Sequence, residues 1–242
     1  MYCRTFARLT LLLLLTVNFS SQATVRLGAN RIIYHAADRE ANLTISNTED
    51  RDYLVQSWAD AEGNPLLSGK KLPVVVTPPL FRMGKQSENV VQIVYTGDGL
   101  SQDKESLFWL NIKAIPAIDE AEKKLSAKVV LAVSNHVKVF YRPEGLPGKP
   151  ADAIADLRWE SLPGGKVKAI NSSPYYVVLN KVMLNGQSME VSIADNNTVI
   201  APGSDKLFAI KGMHKAVTQV AWSGINDFSV QSDTYSENIK GL

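Results

Sequence analysis

From Val25 onward the chain is a succession of short runs in which apolar and polar residues alternate, the two-residue period of a strand with one buried face. Six such runs are VRLGANRIIYHA (25–36), ANLTISNT (41–48), YLVQSWAD (53–60), KLPVVVTPP (71–79), NVVQIVYTG (89–97) and SLFWLNIKAI (106–115). Between them lie AEGNPLLSG, PPLFRMGKQ and TGDGLSQDKE, whose Gly, Pro, Asn and Asp are turn and loop chemistry. A seventh run, SAKVVLAVSNHVKVFYRP (126–143), is the longest. In it Val129, Leu131 and Val133 alternate with smaller neighbours, SNH interrupts, and Val137 and Val139 resume around a lone Lys138. Seven strands separated by turns predict an all-β, immunoglobulin-like sandwich.

The segment YRPEGLPGKPADA (Tyr141 to Ala153) holds three prolines and two glycines, which predicts neither strand nor helix and marks a domain boundary. Beyond it a second strand set is read in LRWE, KVKAINSS, YYVVLNKVML, MEVSIAD, KLFAIKG and TQVAWSGIND. The division is therefore an N-terminal domain over 24–143 ending in the long run, a linker over 144–152, and a second β domain over 153–242. The one run with helical character, AIDEAEKKLSAK, reads as a connection between the sixth and seventh strands or as a single exposed helical turn. Two sandwiches meeting at an angle leave a cleft between them.

The first residues change the compartment. Arg4 and Arg8, an apolar run around Leu11 to Leu15, and small residues up to Ala23 have the layout of a signal peptide over 1–23. The run is shorter than the roughly 20 apolar residues of a membrane span, so an exported protein without membrane insertion is expected. Arg4 and Arg8 are the only charges in the leader, so the rest holds 26 − 2 = 24 basic and 24 acidic residues. That balance removes the electrostatic basis for binding nucleic acid. The single cysteine, Cys3, also lies in the leader, so no disulfide is expected after export.

Catalytic patterns are missing from the sequence. His35, His136 and His214 have no metal-ligand spacing, no G-x-S-x-G elbow occurs, and GLPGKP lacks the Ser or Thr that a phosphate loop needs after its lysine. No catalytic residue, metal or cofactor is assigned. By elimination the chain reads as a binding module.

LSQDKESLFWLNIKAIPA (100–117) resembles the signature of the periplasmic pilus-assembly chaperones, through Asp103 to Leu107, Trp109, Asn111 and Ile115 to Ala117. Ser101 departs from the usual Ala, Pro or Asn. TPPLFRM, VKVFYRP, NSSPYYV and GINDF extend the similarity over both domains in the family's order. The resemblance implies two immunoglobulin-like domains in a boomerang. It also implies binding of exported pilus or fimbrial subunits in the periplasm and their delivery to an outer-membrane usher. The chaperone lends a strand to a subunit that lacks its own last strand, without ATP, which is β-augmentation.

The resemblance also assigns roles. Val129, Leu131 and Val133 become the side chains lent to the subunit, whereas alternation alone favours this domain's own core for them. Arg31 and Lys138 become the anchor for the subunit's terminal carboxylate, residues that would otherwise read as solvated rim cations. Glu105, Arg142 and Asp227 match a charge network between the domains; by themselves they are three scattered charges. The short IPAIDEAEKKLSAK connection and the absence of later cysteines are similar to the short-loop subfamily. An exposed lending strand leaves self-association open.

Two other classes compete. A structural pilus or adhesin subunit would be a single incomplete sandwich with a disulfide, unlike this cysteine-free pair of domains. A secreted carbohydrate-active enzyme would need two converging carboxylates that the sequence does not identify.

Overall fold

The computed structural model describes residues 25–61, 71–118, 129–192, 198–210, 212 and 215–240. The helical run expected over 117–128 falls, from residue 119 on, outside the described residues.

The first predicted run is two strands in different sheets. β1 (Val25–Leu27) pairs with β3 (Ala41–Asn47), which continues through β7 (Ser87–Tyr95) to β5 (Val74–Thr77). At Gly28 the chain turns across the sandwich edge. A side chain there would press on the Thr44 carbonyl at 3.3 Å. It then enters β2 (Arg31–His35), at the edge of the other sheet. That sheet runs β2, β9 (Val133–Arg142), β8 (Ser106–Pro116), β4 (Tyr53–Asp60), β6 (Leu80–Met83). Only the β2–β9 pair is parallel. Alternation is clearest where one face alone is covered. Leu43, Ile45, Val55, Val91, Ile93, Phe108, Leu110 and Ile112 point inward and are buried between the sheets.

Three expectations are corrected in this domain and at its exit. PPLFRMGKQ, read as loop, contains β6, because Pro78 and Pro79 stand before an edge strand where a missing N–H costs no ladder bond. The long run is a strand only from Val133; Val129 and Leu131 precede it, and 126–128 lie outside the described residues. Continuing the β8–β9 register from Ala114 and Val133 would set Leu131 against Pro116, which has no N–H to donate. The segment 141–153, expected to be neither strand nor helix, begins with the last two residues of β9 and ends inside α1 (Pro150–Ala155). Pro150 fits there because an opening helical turn has no use for its N–H.

The second domain packs β10 (Arg158–Leu162), β11 (Lys166–Asn171) and β15 (Ser204–Ala209) against a sheet ordered β13 (Gln187–Met189), β12 (Val177–Leu184), β16 (Gln219–Gly224), β17 (Tyr235–Asn238). β14 (Val199–Ile200) also pairs with β12. Of the predicted strand MEVSIAD only Met189 is in a strand; 190–192 are not, and 193–195 lie outside the described residues. The core centres on Trp159, Val167, Phe208, Val220 and Trp222, with the Trp222 indole N–H donating to the Ile154 carbonyl at 2.7 Å. α1 is thereby fixed to the second sandwich.

A third apolar cluster joins the domains. Leu107 and Phe140, on the outer face of the first domain's sheet, pack with Tyr176 and Val178 of the second, flanked by Ile33 and Ile225.

Candidate functional site: the interdomain cleft and the free end of β9

The geometry follows from the two faces of β9. Val137, Val139 and Tyr141 face the first domain's core, so Lys138, Phe140 and Arg142 face outward, toward the second domain. Between the domains lies a cleft of about 300 Å³ lined by Arg31, Glu105, Phe140, Arg142, Tyr176 and Asp227, among others.

Arg31 and Lys138 are register partners across β2 and β9. Opposite residues of paired strands project to the same face, so both cations share the outer face. The Arg31 guanidinium lies 6.0 Å from the Phe140 ring and donates through Nη1 to the carbonyls of Ile225 (3.0 Å) and Asn226 (2.9 Å) in the second domain. Its Nε is buried without a partner among the described residues. The Lys138 ammonium sits 4.7 Å over the Trp109 ring, beside the cleft rather than in its lining. Burial pulls Arg31 below its ordinary range and Asp227 partly offsets this. Burial, and then the charge of Arg31, pull the Lys138 ammonium down. Two half-desolvated cations side by side are a setting that an anion would relieve.

Glu105, Arg142 and Asp227 meet. Arg142 Nε donates to Glu105 at 2.6 Å, and its two terminal nitrogens grip Asp227 at 2.8 and 3.1 Å, the fork geometry of a guanidinium on a carboxylate. The other Glu105 oxygen accepts the Tyr176 N–H at 2.7 Å. Glu105 and Arg142 come from the first domain and Asp227 and Tyr176 from the second. Glu105 is buried, and desolvation pushes its carboxyl above the usual range in spite of Arg142 and the Tyr176 N–H. Burial also lowers Arg142, but its bonds to Asp227 and the charge of Glu105 outweigh that and hold it raised.

The free end of β9 is the other feature. Val129, Leu131 and Val133 are 86, 73 and 40 % exposed. Val133 opens β9 and Val129 and Leu131 precede it, at two-residue steps in the sequence from the core-facing Val137 and Val139 and beyond the end of the core. β2 covers β9 only from Lys138 onward, so 133–137 pair with β8 on one side and no described strand pairs with their other edge. A groove lined by Leu27, Ala29, Asn135 and Val137 runs along that edge.

Sequence reasoning assigned no role to Phe140 or to the carbonyls of 225 and 226. A backbone acceptor carries no side-chain signature, and Phe140 reads as one more apolar strand residue. Among the described residues no cluster of His, Cys, Asp and Glu is arranged to hold a metal.

Residues 24–147 match the family model described as pili and flagellar-assembly chaperone, PapD N-terminal domain, and residues 152–236 match that of the pili assembly chaperone PapD C-terminal domain. The chain belongs to the PapD family of pilus-assembly chaperones. It is 37 % identical to the chaperone protein LpfB of Salmonella typhimurium over 95 % of each chain. Among solved structures, the complex of Salmonella enterica SafA pilin with the SafB chaperone superposes with a TM-score of 0.76 at 30 % identity, covering 90 % of this chain and 98 % of that one. The Escherichia coli chaperone DraB gives 0.74 at 32 % identity, over 89 % and 96 %. This chaperone therefore comes from a family of assembly factors, not of enzymes, and works in the chaperone–usher pathway.

Proposed function

We propose that this chaperone works in the periplasm, binds newly exported pilus subunits by donor-strand complementation without ATP, and delivers them to an outer-membrane usher. The observation that carries this reading is the free end of β9. Val129, Leu131 and Val133 are exposed at alternate positions of a segment that leads into a strand with one edge unpaired by any described strand. An isolated protein gains nothing from that arrangement, and an open edge invites aggregation unless something covers it. A partner lacking its last strand would cover both features at once, with ladder hydrogen bonds along the edge and Val129, Leu131 and Val133 in its groove. Each side chain would contribute up to about 1.5–3 kcal/mol before ordering costs are deducted.

Arg31 and Lys138 supply a terminal anchor in this reading, and Glu105, Arg142 and Asp227 hold the two domains at a fixed angle around it. The solved complex of the SafB chaperone with SafA pilin supports a subunit as the partner. The test is recovery from the periplasm: the purified protein should carry small sandwich subunits at about one to one by mass spectrometry, and Lys138→Ala should lose them while melting as the wild type does. Recovery of equal amounts by the variant would remove the anchor role, and recovery of no subunit by either protein would remove the function.

A further inference from the structure

The loop after β16 does more than close the cleft. Arg31 spends both N–H groups of Nη1 on two adjacent backbone carbonyls, those of Ile225 and Asn226. A guanidinium has two edges suited to a carboxylate, one formed by the two terminal nitrogens and one by Nε and Nη2. Holding Nη1 takes the first edge out of use and leaves Nη2 for a ligand, while the Nε–H is buried without a protein acceptor among the described residues. The carbonyls that do this belong to a tight loop organised by one side chain. Asn226 Oδ1 accepts the N–H of Phe228 and of Val230, both at 3.0 Å, and the Asn226 N–H donates to the Val230 carbonyl at 2.9 Å. The Asn226 carbonyl accepts the Ser229 N–H at 3.0 Å besides Arg31, and Ser229 holds φ 62°, a left-handed conformation. Its hydroxyl then bonds Asn30, the residue before Arg31.

We infer that Asn226 is a positioning residue for the carboxylate anchor, setting the orientation of Arg31 through the loop that holds Nη1. This rests on the anchor role proposed above for Arg31. The second domain thus controls terminal-carboxylate recognition without offering a side chain to the ligand. Its contribution is to keep the guanidinium aimed with Nη2 left for the ligand, which lowers the ordering cost at the moment of binding.

The test uses the whole mature chain and two synthetic peptides of one alternating apolar sequence, one ending in a free carboxylate and the other in an amide. The wild type should prefer the acid on the order of ten-fold or more, the scale of charge-assisted hydrogen bonds. Asn226→Ala should lose most of that preference while binding the amide as the wild type does, and Asn226→Ser, whose hydroxyl can still accept an N–H two residues on, should recover part of it. In an Arg31→Ala background, Asn226→Ala should change nothing further. Should Asn226→Ala fail to fold, Ser229→Ala, which cuts only the tie to Asn30, gives the same readout with a smaller loss. A wild type that binds acid and amide equally overturns the anchor and this inference together. Preference for the acid that survives unchanged in folded Asn226 or Ser229 variants, or losses that add in the Arg31→Ala background, overturns the positioning role alone.

Discussion

Arg31 and Lys138 stand opposite one another on parallel strands, so two cations share one face of the sheet at the mouth of the cleft. Neither forms a salt bridge with a carboxylate among the described residues, and Asp227, whose charge reaches Arg31, is gripped by Arg142. Each cation rests near an aromatic ring, an arrangement worth about 0.5–1 kcal/mol when exposed and about 2 when desolvated.

The depressed Lys138 ammonium gives a pH signature. Binding a carboxylate would raise it again, so affinity is complete below its free-state pKa and falls as pH rises through that value, which lies under the ordinary lysine range. Subunit capture measured from about pH 7 to about pH 10 should weaken in the wild type before a free lysine would titrate. Lys138→Arg should be flatter. Equal slopes for the two proteins would mean that another group titrates.

Leu131→Glu separates lending from core packing. At an exposed position a charge is tolerated, so the melt should stay within about 0.5 kcal/mol of wild type while subunit capture collapses. Retained capture by the folded variant would exclude Leu131 from the lent set.

The Glu105–Arg142–Asp227 network should set orientation more than stability. Glu105 has a raised pKa, so by itself it contributes stability that is complete below the unfolded value and is lost as pH rises through the folded one. Its ionised form is stabilised in that buried place by Arg142 and the Tyr176 N–H. Arg142→Met alone should therefore cost about 3–5 kcal/mol, and Glu105→Gln with Arg142→Met, which removes the buried charge and keeps an acceptor for the Tyr176 N–H, should recover most of that. Small-angle scattering of the double variant should nonetheless report a wider range of interdomain angles. A double variant as unstable as the single one would assign the network to stability.

Gly224 is set by space rather than by backbone angle. A Cβ there would meet Ile154 at 2.8 Å and the Val178 carbonyl at 2.9 Å, and that carbonyl already accepts the Ile225 N–H. Gly224→Ala should push β16 from β12, destabilise the second domain by about 1–3 kcal/mol and displace the loop that holds Arg31. A melt and acid-over-amide preference both equal to wild type would show that α1 yields instead.

How much of this was legible in the sequence follows from what each feature is made of. The inward strands of the first domain show as alternation because one face is core and the other solvent. β17, with the sequence YSEN, is an exposed edge with no apolar period, and β6 hides behind two prolines. Arg31, Lys138 and the network were reachable only through resemblance, because Glu105 and Asp227 lie 122 residues apart in sequence and converge only when both domains have folded. The Arg31 contacts to the second domain had no signal at all, since their acceptors are backbone.

Val129, Leu131 and Val133 stand at two-residue steps from Val137 and Val139, so in the donor-strand reading a segment extended on its partner keeps one phase and the molecule holds a ruler. The chaperone's own packing decides which lent side chains face which way. The seven residue steps from Leu131 to Lys138, about 23 Å of extended chain, then set how far a partner's end can lie from its groove. A partner is thus measured by length as well as by shape. On that reading one residue added between those positions would turn the whole lent set over, chaperone and subunit could change this spacing only as a matched pair, and a mismatch in length alone would be enough to keep two assembly systems in one compartment apart.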